Sequence, residues 1–159
     1  MDWEAELAVV IGAVLEAGSP SSCLEAVFGY TGANVSARHL QFADGQWVRG
    51  KSLDTFCPVG PHIVTTDEFG DVQAKRIRAF VNGTCMQDAS TGDMFFNVAE
   101  LLSWTSAQIR LEVGDLVLTG TPPGVGAFRS PSILLGPGDV VEIDIQGIGV
   151  LSNPVLGGR

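Results

Sequence analysis

The sequence predicts a β-rich α+β fold, and three observations predict it. First, 20 glycines and 8 prolines cut 159 residues into short pieces, as sheet proteins with many tight turns require. Second, Arg76 to Val81 and Val140 to Ile145 alternate apolar and polar residues with the period of a half-buried strand. Third, only one segment reads convincingly as a helix, too few for alternating βαβ units.

The elements follow in order. Glu4 to Ile11 reads as the first strand, ending at Gly12. A polar stretch, Ala17 to Ser22, precedes a short helical candidate at Cys23 to Phe28, and Tyr30 to Ser36 is expected to be extended. Lys51 to Val64 carries two prolines and two glycines, so loop and short strand are expected there. Arg76 to Val81 enters Asn82-Gly83, the strongest short hairpin signal. Asn97 can cap the one clear helix with Glu100 three residues on, as in a capping box. Val98, Leu101, Leu102, Thr105 and Ile109 follow at helical spacing before Gly114. Leu116 to Leu118 is strand, and Thr119-Gly120-Thr121-Pro122-Pro123-Gly124 a tight loop. In Val140 to Ile145, Val141, Ile143 and Ile145 are expected inward and Glu142 and Asp144 outward. With no internal repeat and no linker, residues 1–159 form a single domain in this reading.

Hydrophobic residues make up 45% of the chain and charged ones 17%, a globular balance. The net charge of −9 excludes nucleic acid and anionic membrane surfaces as expected partners. Cys23, Cys57 and Cys85 are an odd, widely spaced set that suits a reducing compartment better than disulfides or zinc. His39 and His62 have no ligand partner at helical spacing. No apolar run reaches the length of a membrane span, and no basic-then-apolar leader is present. A cytoplasmic protein is the default. Met1 stands almost directly on a strand, so further sequence upstream is expected, in which case a mitochondrial location enters.

Glu4 and Glu6 are the most informative residues. At i and i+2 of a strand they project to the same face, where two like charges repel. A hard divalent cation would relieve that repulsion, since Mg²⁺ and Ca²⁺ choose carboxylate oxygens. The alternative is that both lie on the wet face of an edge strand. Lys51, in an apolar segment, is a candidate point charge for an anionic or enolate oxygen, or else a snorkelling surface lysine. Arg38 and Gln41 are polar residues near the expected Asn34-Val35-Ser36 extension. Glu142 and Asp144 repeat the acidic spacing, but their alternation with aliphatics marks a solvated sheet face. The Thr119 to Gly126 loop lacks the Gly-Lys-Ser/Thr of a phosphate cradle.

The run Asp2-Trp3-Glu4-Ala5-Glu6-Leu7-Ala8-Val9-Val10-Ile11-Gly12 resembles the metal strand of the fumarylacetoacetate hydrolase family. The similarity continues through Gly50-Lys51-Ser52-Leu53-Asp54-Thr55-Phe56-Cys57-Pro58-Val59-Gly60-Pro61, Phe80-Val81-Asn82-Gly83, Leu118 to Gly126 and Gly138-Asp139-Val140-Val141-Glu142-Ile143. The resemblance implies a β-rich roll with few helices, holding Mg²⁺ (or Mn²⁺ or Ca²⁺), and action on a 2-oxo or enol acid as hydrolase, tautomerase or decarboxylase. Glu4 and Glu6 would be metal ligands, Lys51 the catalytic residue holding the reacting oxygen, and Arg38, Gln41 and Thr121 the substrate contacts. A homodimer is expected.

Two departures stand out. The family's third ligand is the aspartate of Asn-Asp-x-Ser-x-Arg, whereas this chain reads Asn34-Val35-Ser36-Ala37-Arg38, one residue short. Either the aspartate is deleted after Asn34 or Asn34 itself takes the ligand position; in both cases a charge is lost and metal affinity falls. The family's N-terminal histidine and glutamate, which activate water from a mobile lid, have no match here. Two readings are therefore carried forward: a truncated metal-dependent enzyme core, and a non-catalytic relative that folds and binds acids weakly.

Overall fold

A computed structural model describes residues 1–18, 20–34, 36–43 and 45–157. Ser19 and Val35, which fall inside the expected polar and extended stretches, lie outside the described residues.

The strands are β1 (Glu6–Ile11), β2 (Val27–Ala33), β3 (Val59–Thr65), β4 (Arg76–Val81), β5 (Thr84–Ser90), β6 (Leu116–Leu118), β7 (Val140–Ile145) and β8 (Gly149–Pro154). Helices α1 (Pro20–Leu24), α2 (Arg38–Ala43), α3 (Trp47–Lys51), α4 (Thr66–Phe69) and α5 (Val98–Ser106) fill the connections. Two four-stranded sheets result, ordered β3-β2-β1-β6 and β5-β4-β7-β8. Each pairing is antiparallel. The β-rich α+β architecture expected from the sequence is the one observed.

The sheets share one core, to which β1 gives Leu7, Val9 and Ile11, β4 gives Ile77, Ala79 and Val81, and β7 gives Val141, Ile143 and Ile145. Close approach is possible at Gly32 on β2, where a Cβ would fall 2.9 Å from the Gly60 carbonyl and 3.5 Å from Ile145. The inward residues of β7 are those its alternation predicts, and outward Asp144 pairs with Arg78 directly across the β4–β7 ladder. The Asn82-Gly83 hairpin is as expected, with φ of 51° and 78° at the two turn residues, the pattern of a type I′ turn.

Helix α5 has its capping box: Asn97 Oδ1 accepts from the Glu100 N–H at 2.9 Å, and Glu100 Oε2 accepts from the Asn97 N–H at 2.9 Å. Val98 and Leu102 are buried as their spacing implies, but the helix ends at Ser106 and leaves Ile109 exposed.

Several expectations require correction. The helix placed at Cys23 to Phe28 is Pro20–Leu24, because Val27 is taken by the ladder to Ile11. The extension expected over Tyr30 to Ser36 begins earlier and ends at Ala33. Helices α2 and α3 are too short to show a period in sequence. The first strand begins at Glu6 rather than Glu4, for a reason that matters to the site: the N–H of Glu4 donates to Asn34 Oδ1 and that of Ala5 to Gln87 Oε1, each at 3.0 Å. Side-chain amides thus replace the neighbouring strand as partners.

Candidate functional site

Strand β1 is interior, with β2 on one side and β6 on the other. The edge-strand reading of Glu4 and Glu6 is therefore overturned; each is only 3% exposed. Burying two carboxylates without partners would be prohibitive, and the chain supplies partners from α2 and α3. Lys51, the last residue of α3, places Nζ 2.7 Å from Glu4 Oε2 and 2.9 Å from Glu6 Oε1. Arg38, the first residue of α2, reaches Glu4 Oε1 through Nη2 at 2.9 Å. Ser36 donates its hydroxyl to Glu4 Oε2, and the Gly120 N–H donates to Glu6 Oε2 at 2.8 Å.

Asp2 is a third buried acid that sequence reasoning passed over. Its Oδ2 accepts from Arg38 Nε at 2.8 Å, and its Oδ1 from the Gly126 N–H at 2.7 Å. Two-residue spacing from Glu4 was the available signal, since Asp2, Glu4 and Glu6 share one parity. Arg38 is committed on every nitrogen: Nε to Asp2, Nη1 to Gln41 Oε1 at 3.0 Å, and Nη2 to Glu4. Its guanidinium also lies 5.4 Å from the centre of the exposed Phe128 ring.

Three buried carboxylates face two cations, leaving the array one negative charge in excess. Burial alone would lower the Lys51 pKa, but the charges and hydrogen bonds of Glu6 and Glu4 outweigh it and hold the ammonium above its ordinary value. The Cys57 thiol is pushed up by burial and by Glu6, against the opposing pull of Lys51. Among the described residues, none of the array's hydrogen bonds or ion pairs involves His39 or His62.

Glu4 Oε2 and Glu6 Oε1 converge on one point, which the Lys51 ammonium occupies, so a hard cation there would share the carboxylates with Lys51. Among the described residues no group of three histidine, cysteine, aspartate or glutamate side chains is arranged to hold an ion. Mg²⁺, however, commonly takes one or two carboxylates and keeps several waters. Asn34 Oδ1 already accepts from the Glu4 N–H and retains one lone pair. Its Nδ2, like Gln41 Nε2, is buried without a hydrogen-bond partner among the described residues. These are two unused donors beside the carboxylates.

Thr121 follows Gly120, whose N–H reaches Glu6. With Thr119, Gly120, Pro122, Pro123, Phe95 and Phe96 it lines a cavity of about 310 Å³. Glu4, Glu6, Arg38 and Lys51 do not line that cavity, but its Thr119–Pro123 edge touches the array through the Gly120 N–H on Glu6. Sequence reasoning thus grouped Thr121 with Lys51, and the structure sets it one residue beyond the Glu6 contact.

The sequence pattern of the fumarylacetoacetate (FAA) hydrolase C-terminal region matches residues 1–156. The chain belongs to the fumarylacetoacetate hydrolase family. Among family members, the mitochondrial oxaloacetate tautomerase of Xenopus laevis is 46% identical over 98% of this chain and 50% of its own length. A 2,4-didehydro-3-deoxy-L-rhamnonate hydrolase of Sphingomonas sp. is 50% identical over 97% of this chain and 55% of its own. The fumarylacetoacetate hydrolase structure from Exiguobacterium antarcticum superposes with a TM-score of 0.95 at 45% identity, covering 99% of this chain and 57% of that one. The chain thus spans about half the length of the curated relatives it matches. No helix among the described residues is long and apolar enough to cross a membrane.

Proposed function

We propose that this chain carries the acid-handling core of a divalent-metal-dependent enzyme that interconverts 2-oxo and enol acids. The observation that carries the reading is the Lys51 ammonium held between Glu4 and Glu6 in a buried array with one net negative charge. Bound by Glu4 and Glu6, with Asn34 Oδ1 as a neutral third donor, Mg²⁺ or Mn²⁺ would supply Lewis-acid polarisation of the 2-oxo oxygen. Lys51 acts as a point charge for the enolate oxygen rather than as a base, because its neighbours keep it protonated. Gln41 Nε2, buried without a partner among the described residues, donates to the substrate carboxylate, while Arg38, engaged on all its nitrogens, fixes Gln41 and Glu4 in place. Among the described residues no histidine joins the array, and a missing general base typically costs about 10²–10⁴-fold, so enolate chemistry is the activity proposed for the residues of this chain.

The test follows the enol of oxaloacetate to its keto form, and its decarboxylation, with purified chain and Mn²⁺. Rates above free Mn²⁺ that Lys51→Ala abolishes support the reading. Rates equal to the free ion, or acylpyruvate hydrolysis as fast as tautomerisation, overturn it. One observation favours a second reading, a non-catalytic relative: the third donor at the carboxylates is a neutral amide already hydrogen-bonded to the backbone. Absence of Mn²⁺ binding would select it.

A further inference from the structure

Gln87, on β5 of the second sheet, reaches across to the site in the first. It is 2% exposed, and both ends of its amide are used. Its Oε1 accepts from the Ala5 N–H, between Glu4 and Glu6, at 3.0 Å. Its Nε2 donates to Thr121 Oγ1 at 3.0 Å and to the Pro122 carbonyl at 2.6 Å. A hydroxyl that accepts from an amide keeps its own proton for another acceptor. The segment that Gln87 grips is also tied to Glu6 through the Gly120 N–H and to Leu7 through the Thr119 hydroxyl at 2.9 Å.

We infer that Gln87 is a positioning residue that makes Thr121 an obligate hydrogen-bond donor toward substrate oxygen while locking the Glu4–Glu6 segment to the loop opposite. Backbone support needs an acceptor for the Ala5 N–H and a donor for the Pro122 carbonyl. The donor role needs the amide nitrogen. Gln87→Glu keeps the acceptor for Ala5 but turns the Thr121 hydroxyl onto itself and gives up the Pro122 contact, so Thr121→Val is the variant that tests the hydroxyl alone.

This inference rests on the enol-acid reading, so two measurements keep the failures distinct. In the oxaloacetate tautomerisation assay with Mn²⁺, Gln87→Glu and Thr121→Val should each lower kcat by about 10²-fold, the loss typical of one removed transition-state donor. KM should change less, and the double variant should be no worse than either single one. Gln87→Glu should also recover toward the parent as pH falls and the new carboxyl regains a proton; Thr121→Val should not. Independent losses that multiply in the double variant, or an identical pH profile for the two, overturn the inference. The second measurement needs no turnover: Thr121→Val should shift the Gln87 side-chain amide resonances and speed their hydrogen exchange. Unchanged Gln87 resonances overturn the inference whatever the assay shows, whereas shifted resonances in a chain without tautomerase activity refute the function and leave the Gln87–Thr121 pairing intact.

Discussion

The Lys51 ammonium lies 2.7 Å from Glu4 Oε2, although the two residues come from a helix end and a strand entry far apart in sequence. The same nitrogen is 2.9 Å from Glu6 Oε1, so one lysine neutralises charge from both glutamates. Removing it leaves two buried carboxylates facing each other. Lys51→Met should cost about 2 kcal/mol in chelator, below the range for a fully buried pair because the Lys51 side chain is 27% exposed. With a folded pKa raised above its unfolded value, the contribution of Lys51 is fully present below about pH 10.4 and is lost as pH rises through the folded value. Urea titrations of parent and variant at pH 7 and pH 11 check both size and sign.

Mn²⁺ binding should depend on Glu4 and Glu6 together. Either residue changed to Ala removes half of the acidic donor set, and calorimetry should find binding in the parent and none in the variants. Equal affinity in the parent and the double variant would place the ion elsewhere.

Asn34→Asp offers a sharper test of the third donor. An aspartate oxygen can still accept from the Glu4 N–H, and the unpartnered Nδ2 disappears. The variant should bind Mn²⁺ more tightly yet be less stable in chelator, because it adds an acid to an array already short of positive charge. A deletion after Asn34 makes the opposite demand, that only an Asp inserted before Val35 tightens binding. Titrating both variants separates the two alignments.

The cysteines should alkylate in a fixed order. Cys85 is exposed, Cys57 is half-buried with its thiol pKa raised, and Cys23 is buried. Iodoacetamide at pH 8 should therefore modify Cys85 first and Cys57 well behind it, with Cys23 protected until unfolding. Peptide mass spectrometry over time reads the order, and fast modification of Cys57 would contradict its surroundings.

Asn97→Ala should lower stability by about 1 kcal/mol, the usual loss on removing an N-cap. The Asn97–Glu100 box lies in α5, away from the carboxylates. Calorimetric unfolding of the variant should show this drop with Mn²⁺ affinity unchanged.

What the sequence determined by itself is local. The β4–β5 turn at Asn82-Gly83, the cap of α5 and the alternation of β7 each depend on residues within a few positions of one another, so they were legible before any fold. The motif runs carried the family, and with it Glu4, Glu6 and Lys51 as residues to watch. Only the tertiary structure decided that β1 is interior, because its neighbours β2 and β6 are far apart in the chain. Burial of the glutamates, and their need for Lys51 and Arg38, follows from that placement. Short helices such as α2 and α3 show no period, yet they deliver both cations. Gln87 stayed unread because an isolated amide has no meaning until long-range pairing shows which groups it satisfies. Asp2 carried a signal in its spacing from Glu4, whose use only the pairing with Arg38 and Gly126 reveals.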